Sequence, residues 1–423
     1  MFLFINNFNF IFFFFVTTTI LIWNLTEEQL ISIEKGTENA FKQYLTESFK
    51  GNLLQPIEFV KSESPKISVI IPMHNEEKNV RKAIRPVQNQ DLREIEIVVV
   101  NDNSNDNTLR LLKFLQKEDP TITILTNKIT RGVLYSRIYG AIKSKGEYVT
   151  FVNPNDGYCT RDILSKAYKE ATEEHEEDID IVQFQSCGSG IDDKGIFEKF
   201  GIFYTFNPNT FNKVIREPYI GYNFMQGRRD VTGSTFVFDK IYRRSLALRT
   251  ANYIAPEFWN QNLVYLGELL LCFGMMKSAK TLVSIPDVGY WHLFEKNYSE
   301  DVLEIEPIIL KNPEKSNIII DGCITVVERI LQLTEDEPES SEFRELILMK
   351  VGSDELLPAI ARSFHFERYL YLIEKAYNWK YIKEKSKNKI KGFFNHVLSF
   401  EIGPKDKFSY LFKKNTKREN KNK

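Results

Sequence analysis

From residue 66 onward the chain alternates between short apolar runs and longer segments whose apolar positions recur three and four residues apart. The runs at 67–72, 95–100, 121–125, 148–152 and 179–184 are rich in Ile and Val. Nearly continuous apolar runs of this length predict strands buried on both faces. Between them lie four segments with helical character. Segment 77–88 carries Val80, Ile84 and Val87, segment 108–117 carries Leu111, Leu112 and Leu115, and 131–145 and 162–172 follow. Pro86 is expected to end or kink the first helix, and Asp162 sits where a helix dipole favours an acid. The alternation predicts an α/β layered domain with a mostly parallel central sheet. Ligands of such sheets bind beyond the carboxyl ends of the strands. Three of those ends are polar: His74-Asn75-Glu76-Glu77, Asn101-Asp102-Asn103-Ser104 and Asn153-Pro154-Asn155-Asp156. They are expected to converge on one site.

The flanks differ in character. Residues 1–26 contain no charged side chain, and 10–23 is densely apolar. A membrane-crossing helix needs about 20 predominantly apolar residues, and Trp23 suits the interface. Residues 1–25 therefore predict a transmembrane signal anchor that meets the membrane through 2–23. A cleaved signal peptide is the rival, but no basic residue precedes the run and no small-x-small site follows it cleanly. The expected location is a single-pass protein of the endomembrane system, Golgi or endoplasmic reticulum. Its face stays open: Lys35 and Lys42 favour a cytosolic body, whereas the sequons at Asn24 and Asn297 are usable only in a lumenal one. Residues 26–64 read as a stem and 65–300 as the main domain, with a more regular half to 190 and a less regular half from 191. Residues 301–404 read as a helical extension, including helices over 321–333 and 342–351. The Lys- and Asn-rich stretch 405–423 reads as a solvated tail.

Composition narrows the partners. The 423 residues are 43% hydrophobic, enough for a sizeable core, and the net charge of −1 gives no field that would steer nucleic acid to the surface. Cys159, Cys187, Cys272 and Cys323 are far apart and form no Cys-x-x-Cys pair, which predicts core residues rather than a zinc knuckle.

Two runs carry a specific resemblance. Val69-Ile-Ile-Pro-Met-His-Asn-Glu-Glu77 and Ile97-Val-Val-Val-Asn-Asp-Asn-Ser-Asn-Asp-Asn-Thr108 resemble the family 2 glycosyltransferases, inverting enzymes with the GT-A nucleotide-diphospho-sugar transferase fold. Pro72, Asn75 and Glu77 match the first pattern, with His74 in place of the usual Tyr. Asp102, Ser104, Asp106 and Thr108 match the second, with Asn101 and Asn103 as departures, Asn103 in place of a Gly. Asn tolerates positive φ better than most residues, so that turn is expected to persist. Gly132, Arg137, Gly140, Gly146, Glu147 and Tyr148 also fit the family. Two departures stand out. Asn153 and Asn155 occupy the Asp positions of the Asp-x-Asp signature, leaving Asp156 as the acid of that tip. In the acceptor-side helix Glu268 matches, but Leu269 stands where the family's catalytic Asp is usual.

The resemblance implies a transferase that moves a sugar from a UDP- or GDP-linked donor to a hydroxyl of a glycan, lipid or protein. It implies Glu268 as general base, and a donor site drawn from Pro72, His74, Asn75, Glu77, Asp102, Arg137, Asn153 and Asn155. A divalent cation, Mn2+ or Mg2+, would fall to Asn155 and Asp156, although a neutral amide is a poor ligand for a hard cation. Arg137 or the pair Arg228-Arg229 are alternative neutralisers of the diphosphate, and His292 is a candidate contact to acceptor or phosphate. The rival reading is a non-catalytic binding or partner protein with the same fold. Residues 226–230 lack the Trp of processive family members, so a polymer synthase is not expected.

Overall fold

A computed structural model describes residues 60–191, 197–202, 210–225, 236–260, 263, 266–295, 313–351, 360 and 366–402. The proposed anchor, the stem before residue 60, both sequons, Arg228-Arg229 and the tail lie outside those residues. Among the described residues, no helix is long and apolar enough to cross a membrane.

The chain divides into two compact units. The first is built on a ten-stranded sheet. Its elements in chain order are β1 (Ile67–Met73), α1 (Val80–Gln88), β2 (Ile95–Asn101), α2 (Thr108–Glu118), β3 (Ile122–Thr126), α3 (Val133–Lys143), β4 (Tyr148–Phe151), β5 (Gly157–Tyr158), α4 (Ile163–Thr172), β6 (Ile181–Ile191), β7 (Phe197–Ile202), β8 (Ile215–Arg216), α5 (Tyr219–Met225), β9 (Lys240–Arg243), α6 (Arg244–Ile254), α7 (Pro256–Trp259), α8 (Gly267–Ser278) and β10 (Thr281–Glu295). The unit boundary assigns α7 and the first residues of α8 to the second unit. The main path across the sheet is β3-β2-β1-β4-β9-β6-β10-β5, with β7 on β6 and β8 on β10.

The expected parallel core is present: β1 pairs in parallel with β2 and β4, and β2 with β3. Strands β6 and β10 form a further long parallel pair, so the sheet is mostly parallel as expected, with short antiparallel pairings added to it. Strand β9 enters antiparallel between β4 and β6, and β5, β7 and β8 also pair antiparallel. Parallel neighbours need a long crossover. Here β9 instead receives a returning chain and ends directly at α6.

Side chains alternate across a strand, and both faces of the parallel core are covered. Ile67, Val69, Ile71, Ile97 and Val99 join one apolar cluster with Val80, Ala83 and Ile84 of α1, Leu112 of α2 and Ile163 and Leu164 of α4. Ile70 and Val100 face the other way, toward α3. Gly140 makes that approach possible: a Cβ there would lie 2.5 Å from Ile70 Cγ2 and 3.3 Å from Val100 Cγ2. Two polar residues interrupt the apolar runs because they serve each other. Ser68 Oγ donates to buried Glu96 at 2.7 Å and accepts from Gly146 N at 2.8 Å, while Lys145 N donates to Glu96 at 2.8 Å. Pro86 lies inside α1, in its last turn, and is buried. Its missing N–H costs one helical bond, and α1 ends two residues later.

The second unit contains α9 (Pro313–Leu333), α10 (Ser341–Val351), α11 (Phe366–Tyr377) and α12 (Glu384–Ile402). Its buried cation, Arg344, donates to Leu331 O and Thr334 Oγ1 and lies over the Trp379 ring at 4.3 Å. Those bonds and the ring offset the cost of taking a guanidinium out of water.

Candidate functional site

The tips of β1 and β2 are stitched to each other. Asn75 and Asn103 both adopt the left-handed conformation, each with φ of 57°, which Asn tolerates better than bulkier residues. The Asn75 amide donates to Ser104 Oγ at 3.0 Å, and Asn105 N returns a bond to Asn75 Oδ1 at 2.9 Å. Glu77 N donates to Asp106 Oδ2, and Glu77 Oε2 accepts from both the backbone and the side chain of Asn107. Glu76 N donates to Thr108 Oγ1 at 2.8 Å. The motif residues Asn75 and Glu77 thus shape the two loops. Burial pushes the Asp106 carboxyl up, but hydrogen bonds from Thr108 and Glu77 outweigh it and hold the group below its usual range.

Asp102 is buried beneath this pair. Its two oxygens accept from Asn127 Nδ2 at 2.7 Å, Arg131 N at 2.9 Å and Gly132 N at 2.7 Å. It therefore pins the segment that leads into α3. His74 Nδ1 lies 2.6 Å from Asp102 O. A carbonyl only accepts, so that nitrogen carries the proton and Nε2 accepts from Asn75 Nδ2 at 3.2 Å. Pro72 is buried at the register position opposite Val100.

The tip of β4 forms a second, buried network. Arg137, on the inner side of α3, donates from Nη2 to Asn153 Oδ1 at 2.6 Å. Asn153 Nδ2 donates to Asp156 Oδ2 at 3.0 Å. The same Asp156 oxygen accepts from Tyr290 OH at 2.8 Å and His292 Nδ1 at 2.7 Å. Asn153 N in turn donates to Tyr290 OH at 3.2 Å. Tyr290 and His292 are two apart on β10 and so share a face. Phe238 stacks on both rings, at 4.4 Å from Tyr290 and 5.3 Å from His292. Burial, then the Asp156 charge, push the Tyr290 hydroxyl well above its ordinary value, so it stays protonated and donates.

The structure thus brings together Arg137, Asn153, Asp156 and His292 and adds Tyr290 and Phe238 to them. His292 carried a sequence signal, the Gly-Tyr-Trp-His run. Tyr290 lay in the same run, while Phe238 had no motif to mark it. Asn155 is buried on the same tip. Glu268 opens α8 in its first turn and is partly buried, whereas Leu269 is buried. Leu266, just before the helix, has φ of 58°, a strained value for a Leu. Glu268 belongs to the second unit.

The residues present do not fit a divalent-cation site. Among the described residues no group of three His, Cys, Asp or Glu side chains is arranged to hold a metal. Asn155 brings a neutral amide, and one oxygen of Asp156 already accepts three bonds. A hard cation calls for several anionic oxygens.

All four cysteines are free and buried, as a core role predicts. Cys159 and Cys187 pack with Trp291 in a small cluster of their own, and burial pushes the Cys159 thiol well up, which keeps it unreactive.

Comparison with known proteins bears on this architecture. S. aureus TarS matches with a TM-score of 0.53 at 17% identity, over 79% of this chain and 53% of that one. The TarS 1-349 structure in complex with UDP-GlcNAc matches with a TM-score of 0.51 at 16% identity, over 79% and 91%. These likenesses define the fold as that of a GT-A-like α/β protein. The family model for glycosyl transferase family 2 matches residues 68–245, and the chain carries a domain of that family. A GalNAc(5)-diNAcBac-PP-undecaprenol beta-1,3-glucosyltransferase of Campylobacter jejuni is 39% identical over 93 residues, 22% of this chain and 30% of its own length. The glycosyltransferase GlyA of Streptococcus pneumoniae is 32% identical over 139 residues, 33% and 18%. The chain thus spans less than a third of the length of these curated relatives.

Proposed function

We propose that this chain is an inverting glycosyltransferase that moves a sugar from a nucleoside diphosphate sugar to an acceptor hydroxyl. The observation that carries the reading is the convergence of three polar tips on adjacent strands β1, β2 and β4, inside a family 2 domain. Ligands of α/β sheets lie beyond such ends. The stitched loops after β1 and β2 would hold the base and ribose, and the β4 tip would face the diphosphate. Glu268 is the proposed general base. In a single displacement the acceptor oxygen attacks the anomeric carbon, the bond from that carbon to the diphosphate breaks with its electron pair leaving on the diphosphate oxygen, and Glu268 takes the hydroxyl proton. A carbohydrate or lipid-linked acceptor is supported by the curated Campylobacter relative, which is named for such a substrate. The proposal includes membrane attachment through residues 2–23 in the endomembrane system.

The rival is a binding module of the same fold. Asn at both signature positions and buried Leu269 at the usual base position favour it. Full-length protein incubated with UDP- and GDP-sugars, with and without added oligosaccharide or polyprenol-linked acceptors, separates the two. The transferase reading expects nucleoside diphosphate release from one donor and its loss in Glu268→Gln. Donor binding without turnover across the acceptor panel would favour the module.

A further inference from the structure

The donor site proposed above holds a diphosphate beside a tip whose charge balance is unusual. Arg137 contributes one positive charge and Asp156 one negative charge, and Asn153 bridges them with its oxygen toward the cation and its nitrogen toward the anion. An amide suits that position because it accepts on one side and donates on the other. Tyr290 and Asn155 are neutral, and the His292 ring is neutral or cationic. The formal charge of the tip is therefore not negative. The acids of the neighbouring tips are engaged within the protein: Asp102 by Asn127, Arg131 and Gly132, Glu76 by Asn79, Glu77 by Asn107, and Asp106 by the Glu77 and Thr108 amides. A divalent cation normally offsets two sources of negative charge in such a site, the carboxylates of the protein and the diphosphate of the ligand. Here Arg137 balances the carboxylate of the β4 tip, and the carboxylates of the other two tips are engaged by hydrogen bonds within the protein.

We infer that this site takes the diphosphate of a nucleotide without a divalent cation, the two Asn at the signature positions leaving a tip whose one carboxylate is balanced by Arg137. The inference rests on the donor-site reading of the preceding subsection. It assigns Asn153 as a positioning residue: it keeps Asp156 turned toward Tyr290 and His292, where its oxygen is already in use. Placing an acid at 155 restores negative charge at the tip, which repels the diphosphate until a cation offsets it.

Calorimetric titration of UDP and of GDP into the full-length protein tests this, once in EDTA and once in excess Mn2+. The expected result is that one nucleotide binds, with Kd in the two buffers within about threefold. In Asn155→Asp, shown to be folded by its thermal transition, binding in EDTA is expected to weaken about tenfold and to recover with Mn2+. Wild-type binding that appears only with Mn2+ overturns the inference and leaves the transferase reading intact. Binding by Asn155→Asp that ignores the metal overturns the charge argument. Failure of both nucleotides to bind in either buffer overturns the inference together with the donor-site reading.

Discussion

Asp156 Oδ2 lies 2.7 Å from His292 Nδ1, joining the tip of β4 to a strand 136 residues further along the chain. The carboxylate is fully buried, and the ring is held flat against Phe238. Removing the acid leaves Tyr290 OH, Asn153 Nδ2 and His292 Nδ1 facing an empty acceptor position. Each unsatisfied buried donor costs about 1–3 kcal/mol, and partial relaxation brings the expected loss in Asp156→Ala to about 2–4 kcal/mol. Urea denaturation followed by circular dichroism measures it. A change below about 0.5 kcal/mol, the range of an ordinary surface substitution, would contradict the network.

Gly140 tests the packing of α3 on the sheet. An Ala there gains about 1 kcal/mol of helix propensity. Its Cβ would lie 2.5 Å from Ile70 Cγ2, and overpacking of this kind costs about 1–3 kcal/mol. The clash is expected to win, so Gly140→Ala lowers the thermal midpoint. An unchanged or raised midpoint would show that β1 yields at little cost.

The stitch between the first two tips depends on an ionised Asp106. Its folded-state carboxyl sits below the usual value, so the group contributes stability above the unfolded carboxyl pKa, about 3.9. That contribution is lost as pH falls through the lowered folded value. The protection of the Glu77 and Thr108 amides, their exchange followed by NMR and corrected for the intrinsic pH dependence, is expected to fall only at that acidic end. A loss of protection between pH 5 and 7 would contradict the assignment.

Asn103 stands in a left-handed turn with φ of 57°. Replacement by Gly is expected to be nearly neutral. Replacement by Val places a β-branched side chain in that region at a cost of about 1–2 kcal/mol. Chemical denaturation of the two variants side by side checks the difference, and equal stabilities would rule out the positive φ.

The parallel core was legible because burial on both faces writes itself as continuous apolar runs, and β1, β2 and β4 fall within a residue of their expected bounds. Strand β6 begins later than expected. Asp180 lies outside it, accepting from Lys280 N at 2.8 Å. Strand β9 was not legible: it has four residues and includes buried Lys240, whose partners Asp239 and Phe236 O give no periodic signal. Tyr242 and Arg243 belong to that strand, and α6 starts directly after it at Arg244. At the site, the motifs located the tips but not the use of their residues. Asn75 and Glu77 shape loops, and Asp156 is committed to Tyr290 and His292, pairings that depend on contacts 134 and 136 residues apart. No local pattern encodes such contacts.

The most direct test of the central claim is hydrogen–deuterium exchange of the full-length protein with saturating UDP and, separately, GDP. One nucleotide is expected to slow exchange in peptides covering 72–77, 101–108 and 151–158, the tips of β1, β2 and β4, and to leave α9 to α12 unchanged. Protection confined to other segments, or none with either nucleotide, would contradict a donor site at the strand tips.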